Sequence, residues 1–492
     1  MTTPPPGLAL DAEWQRLDPR MLLVHPVREV MRFLPVLLGL FVAGTASGGG
    51  PWQYLGVLIP VAVGLMRYLT TRFRIAHGRV ELRRGLLNRH VLSTPLDRVR
   101  TVDVTASLIH RALGLATVRI GTGTASTDSD ERLDLDGLPA ERARSPRAEL
   151  LHATPATDAA GVDAPVPEEQ VALRFDPGWA RYAPLTSSGA VITAGLFGGG
   201  AQLLSELGAF SDVDARDWSL GIPVWVAIVV GVVGLLVAVG VLSVAGYLVT
   251  NWGFRLSHTP GSWHLSRGLL TTRETSIDDG RLAGVSLGEP IGLRFAGAAR
   301  LSAIVTGLGS EAGNSVLAPP APRAEVVGVA GRVLGTDAPA ACELTGHGPA
   351  AARRRYSRAL GPALTALLAS VVVVVAADWA GWLLAVPAAV VLAAAALASD
   401  RVRSLGHALT EGYVVARSGS INRRREALEI EHVIGWTFRS TWFQRRVGVT
   451  TLVATTAGGR QSVTLLDVPE ERAVELAGLA HPTLIHDFKR AD

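Results

Sequence analysis

Six arginines follow directly on a long apolar stretch and could do the most specific chemistry in the sequence. They are Arg72, Arg74, Arg79, Arg83, Arg84 and Arg89. A guanidinium group is permanently charged and presents its N–H donors in a plane that suits phosphate and carboxylate groups. Beside an anionic inner leaflet, each Lys or Arg gains on the order of 1 kcal/mol. We therefore interpret this basic set as a candidate surface for a lipid headgroup or a protein partner. The plainer alternative is that it fixes membrane topology and solvates a strand face.

A second pattern repeats an arginine and a glycine at fixed spacing. Arg111, Arg294 and Arg445 each stand three residues before a glycine, and these glycines are Gly114, Gly297 and Gly448. Glycine permits a tight backbone turn that other residues resist. The recurrence favours a structural role, with the arginine tying a loop, over a shared ligand site.

Other reactive side chains lack the patterns that catalysis or metal binding needs. The histidines show no zinc-site spacing such as His-Glu-x-x-His, and Cys342 is the only cysteine. The run Gly121-Thr122-Gly123-Thr124 lacks the third glycine of a dinucleotide fingerprint and is typical of a β-turn. The sequence therefore predicts no enzyme, no catalytic residue, no cofactor, no metal site and no nucleic-acid partner.

The elements that would position these arginines begin with membrane helices. Only 18% of the 492 residues are charged, against about 25% in soluble domains. Three regions each carry two apolar runs of about the length that crosses a bilayer. The predicted pairs are Phe33–Ser47 with Trp52–Leu69, Ala183–Leu204 with Gly221–Val249, and Ala359–Ala377 with Trp379–Ser399. The third pair turns at Asp378.

The distribution of arginine predicts the orientation. Arginines stand before and after each helix pair in the sequence. The turns within the pairs carry almost none, with Arg216 as the exception. The positive-inside rule then places both termini and all three soluble segments in the cytoplasm. The predicted spans have uncharged interiors, which argues against an ion-coupled transporter.

The three soluble segments resemble one another. Arg84-Gly85-Leu86-Leu87 recurs as Arg267-Gly268-Leu269-Leu270, and segment three matches segment one without a gap from Gly85 onward. Short β-branched runs between turn signals predict about seven strands, closed by a helix after a proline. At the last of these helices, Asp467 and Glu470 stand in the spacing of a capping box.

The Arg-Gly-Leu-Leu turn, the segment Pro95-Leu96-Asp97-Arg98-Val99 and the Leu-x-x-Arg-x-x-Gly element resemble the bacterial pleckstrin-homology-like domain of YdbS/YdbT-type membrane proteins. The resemblance covers nearly the whole chain as three copies. It implies a PH-like barrel with a C-terminal helix, no catalytic activity, and a role in membrane scaffolding or envelope-stress tolerance. Segment two has Asp278-Asp279 in place of Pro95-Leu96, and segment three has Glu429-Ile430-Glu431-His432, so any specific role of that motif would not extend to them.

The predicted architecture is six transmembrane helices in three hairpins, each followed by a PH-like β-barrel or sandwich with a C-terminal helix. The boundaries are an N-terminal segment (1–32), helix pair one (33–69), domain segment one (70–152), a linker (153–182), helix pair two (183–249), domain segment two (250–336), a linker (337–358), helix pair three (359–399) and domain segment three (400–492).

We expect a non-enzymatic, multi-pass protein of a bacterial plasma membrane, with an anionic inner leaflet and a membrane or cytoplasmic protein as candidate partners. A lipid site formed by Arg72 and Arg74 would belong to segment one alone, because Asn251-Trp252-Gly253-Phe254 and Glu411-Gly412-Tyr413-Val414 stand there in the other segments. The alternative function is a transporter or export component with the domains as regulatory gates.

Overall fold

The computed structural model describes residues 14–24, 62, 65–66, 68–76, 79–84, 90–95, 101–121, 133–140, 169–186, 202, 224–306 and 316–482. Two compact units are present, one of residues 1–171, 253–281 and 307–309, the other of residues 172–252, 282–306 and 310–492. Helix pair one and the first helix of pair two lie almost entirely outside the described residues, as does Arg89.

Antiparallel sheets form the first unit. Its first sheet has the order β1-β2-β3-β4, with β1 at Gln15–Arg16, β2 at Arg72–Ala76, β3 at Arg79–Arg84 and β4 at His90–Pro95. The next strands are β5 (Thr101–Ala106), β6 (Leu115–Gly121) and β7 (Leu133–Pro139), with helix α1 (Leu108–Ala112) between β5 and β6. A hydrophobic cluster that includes Phe73, Leu82, Val118 and Leu135 fills this unit.

Three strands of domain segment two complete this unit. After β8 (Gln170–Arg174) come β9 (Arg255–Thr259), β10 (Ser262–Arg267) and β11 (Thr272–Asp278). Strand β11 pairs antiparallel with β5 of segment one. A continuous sheet therefore joins the second half of segment one to the first half of segment two.

The second unit begins with helix α2 (Val224–Asn251). Its six-stranded sheet has the order β14-β13-β12-β17-β16-β15 and its three-stranded sheet the order β18-β19-β20. The strands are β12 (Leu282–Pro290), β13 (Ala298–Val305), β14 (Val316–Pro322), β15 (Gly406–Thr410), β16 (Tyr413–Ser418), β17 (Asn422–Glu429), β18 (Gly435–Arg439), β19 (Val449–Thr455) and β20 (Ser462–Pro469). Each of segments two and three thus has six described strands rather than about seven.

Helices close and connect these sheets. They are α3 (Ile291–Phe295), α4 (Arg323–Leu334), α5 (Ala338–Ala341), α6 (Gly348–Ala376), α7 (Ala385–Ser404), α8 (Trp442–Arg445) and α9 (Glu470–Ala480). Helix α9 buries Ala473, Leu476, Ala477 and Ala480, whose spacing of three and four residues places them on one helical face. That face covers the core of segment three, as predicted for the closing helix.

Three helical stretches are long and apolar enough to cross a membrane: Val229–Asn251, Gly348–Ala376 and Gly381–Ser404. The last includes the 3-10 helix Gly381–Leu384 that precedes α7. Large apolar side chains on them are exposed, including Leu236, Val375 and Leu392. Exposed apolar surface on this scale marks contact with lipid or protein.

Two predicted boundaries differ from the structure. Helix α6 begins at Gly348 rather than Ala359, because its arginine-rich first part continues the helix towards the soluble domain. The interval 153–182, predicted as a linker, contains β8 and most of the 3-10 helix Pro177–Leu185.

The predicted capping box at α9 is wrong. Pro469 is the N-cap residue, and no side chain caps the helix. Asp467 lies in β20 with a left-handed φ of 56°, and its carboxylate forms ion pairs with Arg354 and Arg355 of α6. The carboxylate of Asp467 therefore binds arginines of a distant helix instead of capping α9.

Candidate anion-binding cleft

Four arginines of the predicted basic set of segment one, Arg72, Arg74, Arg79 and Arg83, lie on the outward face of β2 and β3. Arg72 is opposite Arg83 and Arg74 is opposite Glu81 in the antiparallel register. The intervening side chains face the core, where Val80 is fully buried. Of the set, Arg72 and Arg79 are exposed and Arg74 and Arg83 half-buried, while the Arg84 side chain and Arg89 lie outside the described part of the chain.

Two members of this set already have partners within the first unit. The Nε atom of Arg74 lies 2.5 Å from Oε2 of Glu81, and its guanidinium carbon lies 4.7 Å from the ring centroid of Trp14. The guanidinium carbon of Arg83 is 6.0 Å from the same ring. Cation–π contacts of this kind contribute about 0.5–1 kcal/mol at exposed sites. Arg74 is therefore engaged in holding the sheet together, which leaves Arg72 and Arg79 as the exposed charges.

The repeated arginines and glycines stand at the ends of short helices. The φ angles of Gly114, Gly297 and Gly448 are 69°, 65° and 65°, a left-handed conformation that glycine adopts without strain. This geometry explains why the same residue type recurs at the three positions.

Two of the three arginines bind the next domain segment or the helix leading into it. Arg111 donates from Nη1 to the carbonyl oxygen of Leu269 at 2.8 Å. Arg294 forms a two-point ion pair with Asp400, with N–O distances of 2.6 and 3.1 Å. These contacts connect parts of the chain, which is the role that the sequence favours over a ligand site.

A more enclosed charged site lies in the second unit, at a cleft of about 510 Å³. Strands β12 and β13 of segment two form one side, and β17 and the β19–β20 loop of segment three form the other. Three arginines line it, namely Arg300, Arg424 and Arg460, together with Glu426.

The sheet register places two of these arginines on either side of a glycine. Gly288 is the Cα partner of Arg300 on β13 and of Arg424 on β17. A Cβ atom at Gly288 would lie only 3.0 Å from Nε of Arg300, so the Arg300 side chain passes over the glycine. Residues in one cross-strand row share a face of the sheet. Because glycine has no side chain, the guanidinium group of Arg300 has room to lie over the sheet at Gly288.

Alternation along β17 decides which arginine of the run Arg423-Arg424-Arg425 is available. Arg423 binds Glu289, with Nη2 to Oε2 at 2.6 Å, and Arg425 donates to the carbonyl oxygens of Pro339 and Cys342. Successive side chains on a strand point to opposite faces. Arg424 consequently points into the cleft, away from the partners of its two neighbours.

The third arginine is carried by the loop between β19 and β20. The amide of Gly459 donates to the carbonyl oxygen of Val305 at 3.1 Å, and Thr306 forms a bridge with Gly458. This loop is held against the end of β13 by backbone contacts. Arg460 is exposed at the rim of the cleft.

The cleft carries more positive charge than its neighbours neutralise. Burial, together with repulsion from Arg424, lowers the pKa of Arg300. Burial raises the pKa of Glu426 in spite of the nearby Arg424 and Arg460. Among the described residues, no carboxylate lies within ion-pair distance of the three guanidinium groups. Such an arrangement favours a bound anion, which would satisfy the donors and relieve the repulsion.

The sequence prediction missed this cleft. Its arginines are spread over residues 300–460 and two domain segments, so no local motif marks them. The available signal was the run Arg423-Arg424-Arg425 in a predicted strand, where alternation must direct one guanidinium away from the other two. The sequence predicted a basic ligand site in segment one alone, whereas this cleft is formed by segments two and three.

Comparison with known proteins gives one family. A model of the bacterial PH domain family matches residues 30–154 and 359–480, which together make up half of the chain. No curated protein and no solved structure matches the chain significantly.

Proposed function

This chain belongs to the bacterial PH domain family, and we propose that it is a non-enzymatic, multi-pass membrane protein that binds a phosphate-bearing anion in the arginine cleft. The ligand is either the headgroup of an anionic lipid or a soluble phosphate compound. Guanidinium groups match phosphate oxygens with two parallel N–H donors, which favours this class of anion. The observation that carries the proposal is the pair Arg300 and Arg424, which flank Gly288 without a carboxylate partner in the described chain.

The proposal includes six spans and three PH-like domains with both termini in the cytoplasm. Three described helices support the membrane location by length and composition. The family match covers segments one and three, and segment two has the same order of described strands, short helix, strands and closing helix. The arginine-flanked helix pairs support cytoplasmic domains.

In this proposal the helices keep the domains at the inner leaflet, and the ligand stabilises the association of segments two and three. A membrane scaffold of this kind needs no catalytic group. Its activity is to gather a headgroup or partner at the bilayer surface. This is also the role implied by the resemblance to YdbS/YdbT-type proteins.

The test is ligand binding by the full-length protein in detergent, followed by native mass spectrometry. Phosphatidylglycerol, phosphatidylcholine and inorganic phosphate are titrated separately, so that the lipid and soluble sources are distinguished. Losing a hydrogen bond to a charged group costs about 1.5–3 kcal/mol, or roughly 10-fold to 100-fold in affinity. We expect Arg300→Gln and Arg424→Gln each to weaken binding of the anionic ligand by this factor.

Arg72→Gln and Arg79→Gln are matched controls in segment one, since they remove the same charge from exposed positions. Unchanged binding in these variants, with loss in the cleft variants, supports the cleft. The proposal is wrong if the cleft variants bind as tightly as the parent protein, or if only the segment-one variants lose binding.

A further inference from the structure

Two sheet junctions within the chain follow one rule. In the first, β5 of segment one pairs antiparallel with β11 of segment two. In the second, β12 of segment two pairs antiparallel with β17 of segment three. Both times, the strand that precedes the short arginine–glycine helix of one segment pairs with the third strand of the next segment.

The two junctions also have the same register. Val104, seven residues before Arg111, is opposite Glu274, which is six residues after Gly268. Leu287, seven residues before Arg294, is opposite Arg425, which is six residues after Gly419. A shift of one residue would turn every side chain to the opposite face. Identical register at both junctions therefore indicates one mode of strand pairing that is repeated along the chain, rather than two unrelated contacts.

Each junction is supported by the repeated arginine. Arg111 reaches the carbonyl oxygen of Leu269, beside the turn that leads into β11. Arg294 reaches Asp400 in the last turns of the helix that leads into segment three. The strand pairing and the arginine contact thus form a two-part connection from each segment to the next.

Segment three has the first half of this connection in β18 and Arg445, and no strand pairs with its outer edge among the described residues. Strand β18, the counterpart of β5 and β12, is an edge strand of its described sheet. Phe438, seven residues before Arg445, is 43% exposed, whereas its counterparts Val104 and Leu287 are 7% and 3% exposed. The Arg445 side chain is exposed and has no ion pair or hydrogen bond among the described residues.

Segment one has the complementary half. Strand β4, the counterpart of β11 and β17, is an edge strand of its own described sheet. Val91 occupies the position that corresponds to Glu274 and Arg425 and is 56% exposed. Both edges are unpaired in the described part of the chain and carry an exposed apolar side chain, and such edges readily pair with a strand of another chain.

We propose that β18 of one molecule pairs antiparallel with β4 of a second copy, so that the chains join head to tail in the plane of the membrane. The register of the internal junctions places Phe438 opposite Val91 and Trp436 opposite Ser93. The partner of Arg445 would then lie on segment one of the second copy. Because the contact uses two different surfaces, one contact leaves an unused edge on each of the two molecules, and further copies extend the assembly into a closed ring or an open row. The proposal uses no residue of the arginine cleft and is independent of ligand binding there.

The test is cysteine crosslinking in membranes from cells that express two versions of the full-length protein. Both carry Cys342→Ser, which keeps an acceptor for the neighbouring Arg425 guanidinium. One version adds Phe438→Cys and the first tag, and the other adds Val91→Cys and the second tag. Directly opposed residues of antiparallel strands have Cβ atoms about 4.5–5.5 Å apart, close enough for mild oxidation to join them.

We expect a crosslinked dimer that carries both tags. Thr437→Cys is the matched control for Phe438→Cys, since it lies on the same strand with its side chain on the other face, and it should give less than a tenth of the mixed dimer. The proposal is overturned if the Thr437→Cys control gives as much of the mixed dimer, or if a single chain carrying both cysteines crosslinks only within itself.

A charge-pair experiment covers the case in which oxidation is inefficient. Phe438→Lys and Val91→Glu are both at exposed positions, so the folded unit should tolerate each. We expect either change alone to reduce the oligomer seen by blue native electrophoresis at least 10-fold, and the two combined in one chain to restore it. An oligomer that survives both single changes, or a protein that is monomeric before any change, contradicts the proposal.

Discussion

Asp467 should be the residue on which the connection between helix α6 and domain segment three depends most. It is 1% exposed, and its Oδ2 atom lies 2.6 Å from Nη2 of Arg355. Oδ1 pairs with Arg354 and accepts a hydrogen bond from Nε2 of Gln444 at 2.9 Å. The arginine side chains are only 11% and 17% exposed. One carboxylate therefore compensates two largely buried guanidinium groups.

The expected effect of Asp467→Ala follows from the charges that it leaves behind. Removing one partner of a buried ion pair costs about 3–5 kcal/mol, because the remaining charge stays desolvated. The second unit has about 290 residues, so its entropy of unfolding is about 0.6 kcal/mol/K and each kcal/mol lowers the melting temperature by about 1.6 °C. We therefore expect the second unit to melt roughly 5–8 °C lower in the variant.

Thermal unfolding of the full-length protein in detergent, followed by tryptophan fluorescence, measures this change. Glu471→Ala is the control, since it removes an exposed carboxylate on the neighbouring helix and should shift the melting temperature by no more than about 2 °C. Combining Asp467→Ala with Arg354→Ala and Arg355→Ala should recover part of the loss, because no buried charge remains unpaired. If Asp467→Ala and Glu471→Ala have the same melting temperature, Asp467 does not stabilise the contact between α6 and segment three.

Two further predictions concern buried ionisable groups. Burial and a neighbouring imidazole lower the pKa of His407 to about 4, so only the unfolded chain takes up this proton between about pH 6.5 and pH 4. The free energy of unfolding should therefore fall as the pH drops through this window, by roughly 1 kcal/mol between pH 7.5 and 5.5, and melting curves should show this component disappear in His407→Gln. Glu289, 3% exposed, pairs with Arg323 and Arg423, and Glu289→Gln should destabilise the second unit by about 2–4 kcal/mol. The same melting assay should show a change below about 0.5 kcal/mol for the exposed control Glu325→Gln, and equal shifts for the two variants would contradict the assignment.

Local patterns in the sequence identified the elements well wherever the determinant is itself local. The third helix pair was placed by uninterrupted apolar length and by a turn at Asp378, where the structure has a left-handed φ of 52°. The closing helix of segment three was placed by the proline that precedes it. Resemblance in the arginine–glycine motif indicated the bacterial PH domain family, which the family match confirms.

Asp467 shows where local reasoning reached its limit. Its spacing to Glu470 matches a capping box, and a capping hydrogen bond contributes about 1 kcal/mol. Two guanidinium groups more than 110 residues earlier in the chain offer a larger electrostatic gain in a buried setting, and they bind the carboxylate instead. A motif of four residues contains no information about these distant arginines, so it could not predict which interaction Asp467 makes.

The sequence by itself determined which stretches are long and apolar enough to cross a membrane, since a helix satisfies its backbone hydrogen bonds internally and needs only apolar side chains. It also determined strand alternation, which directs Arg424 away from Arg423 and Arg425. Only the tertiary structure decided that Arg424 meets Arg300 across Gly288, because this depends on the register between strands more than 120 residues apart. Register is fixed by the packing of whole sheet faces, and that packing created both the arginine cleft and the edges of β4 and β18, to which no other described strand is paired.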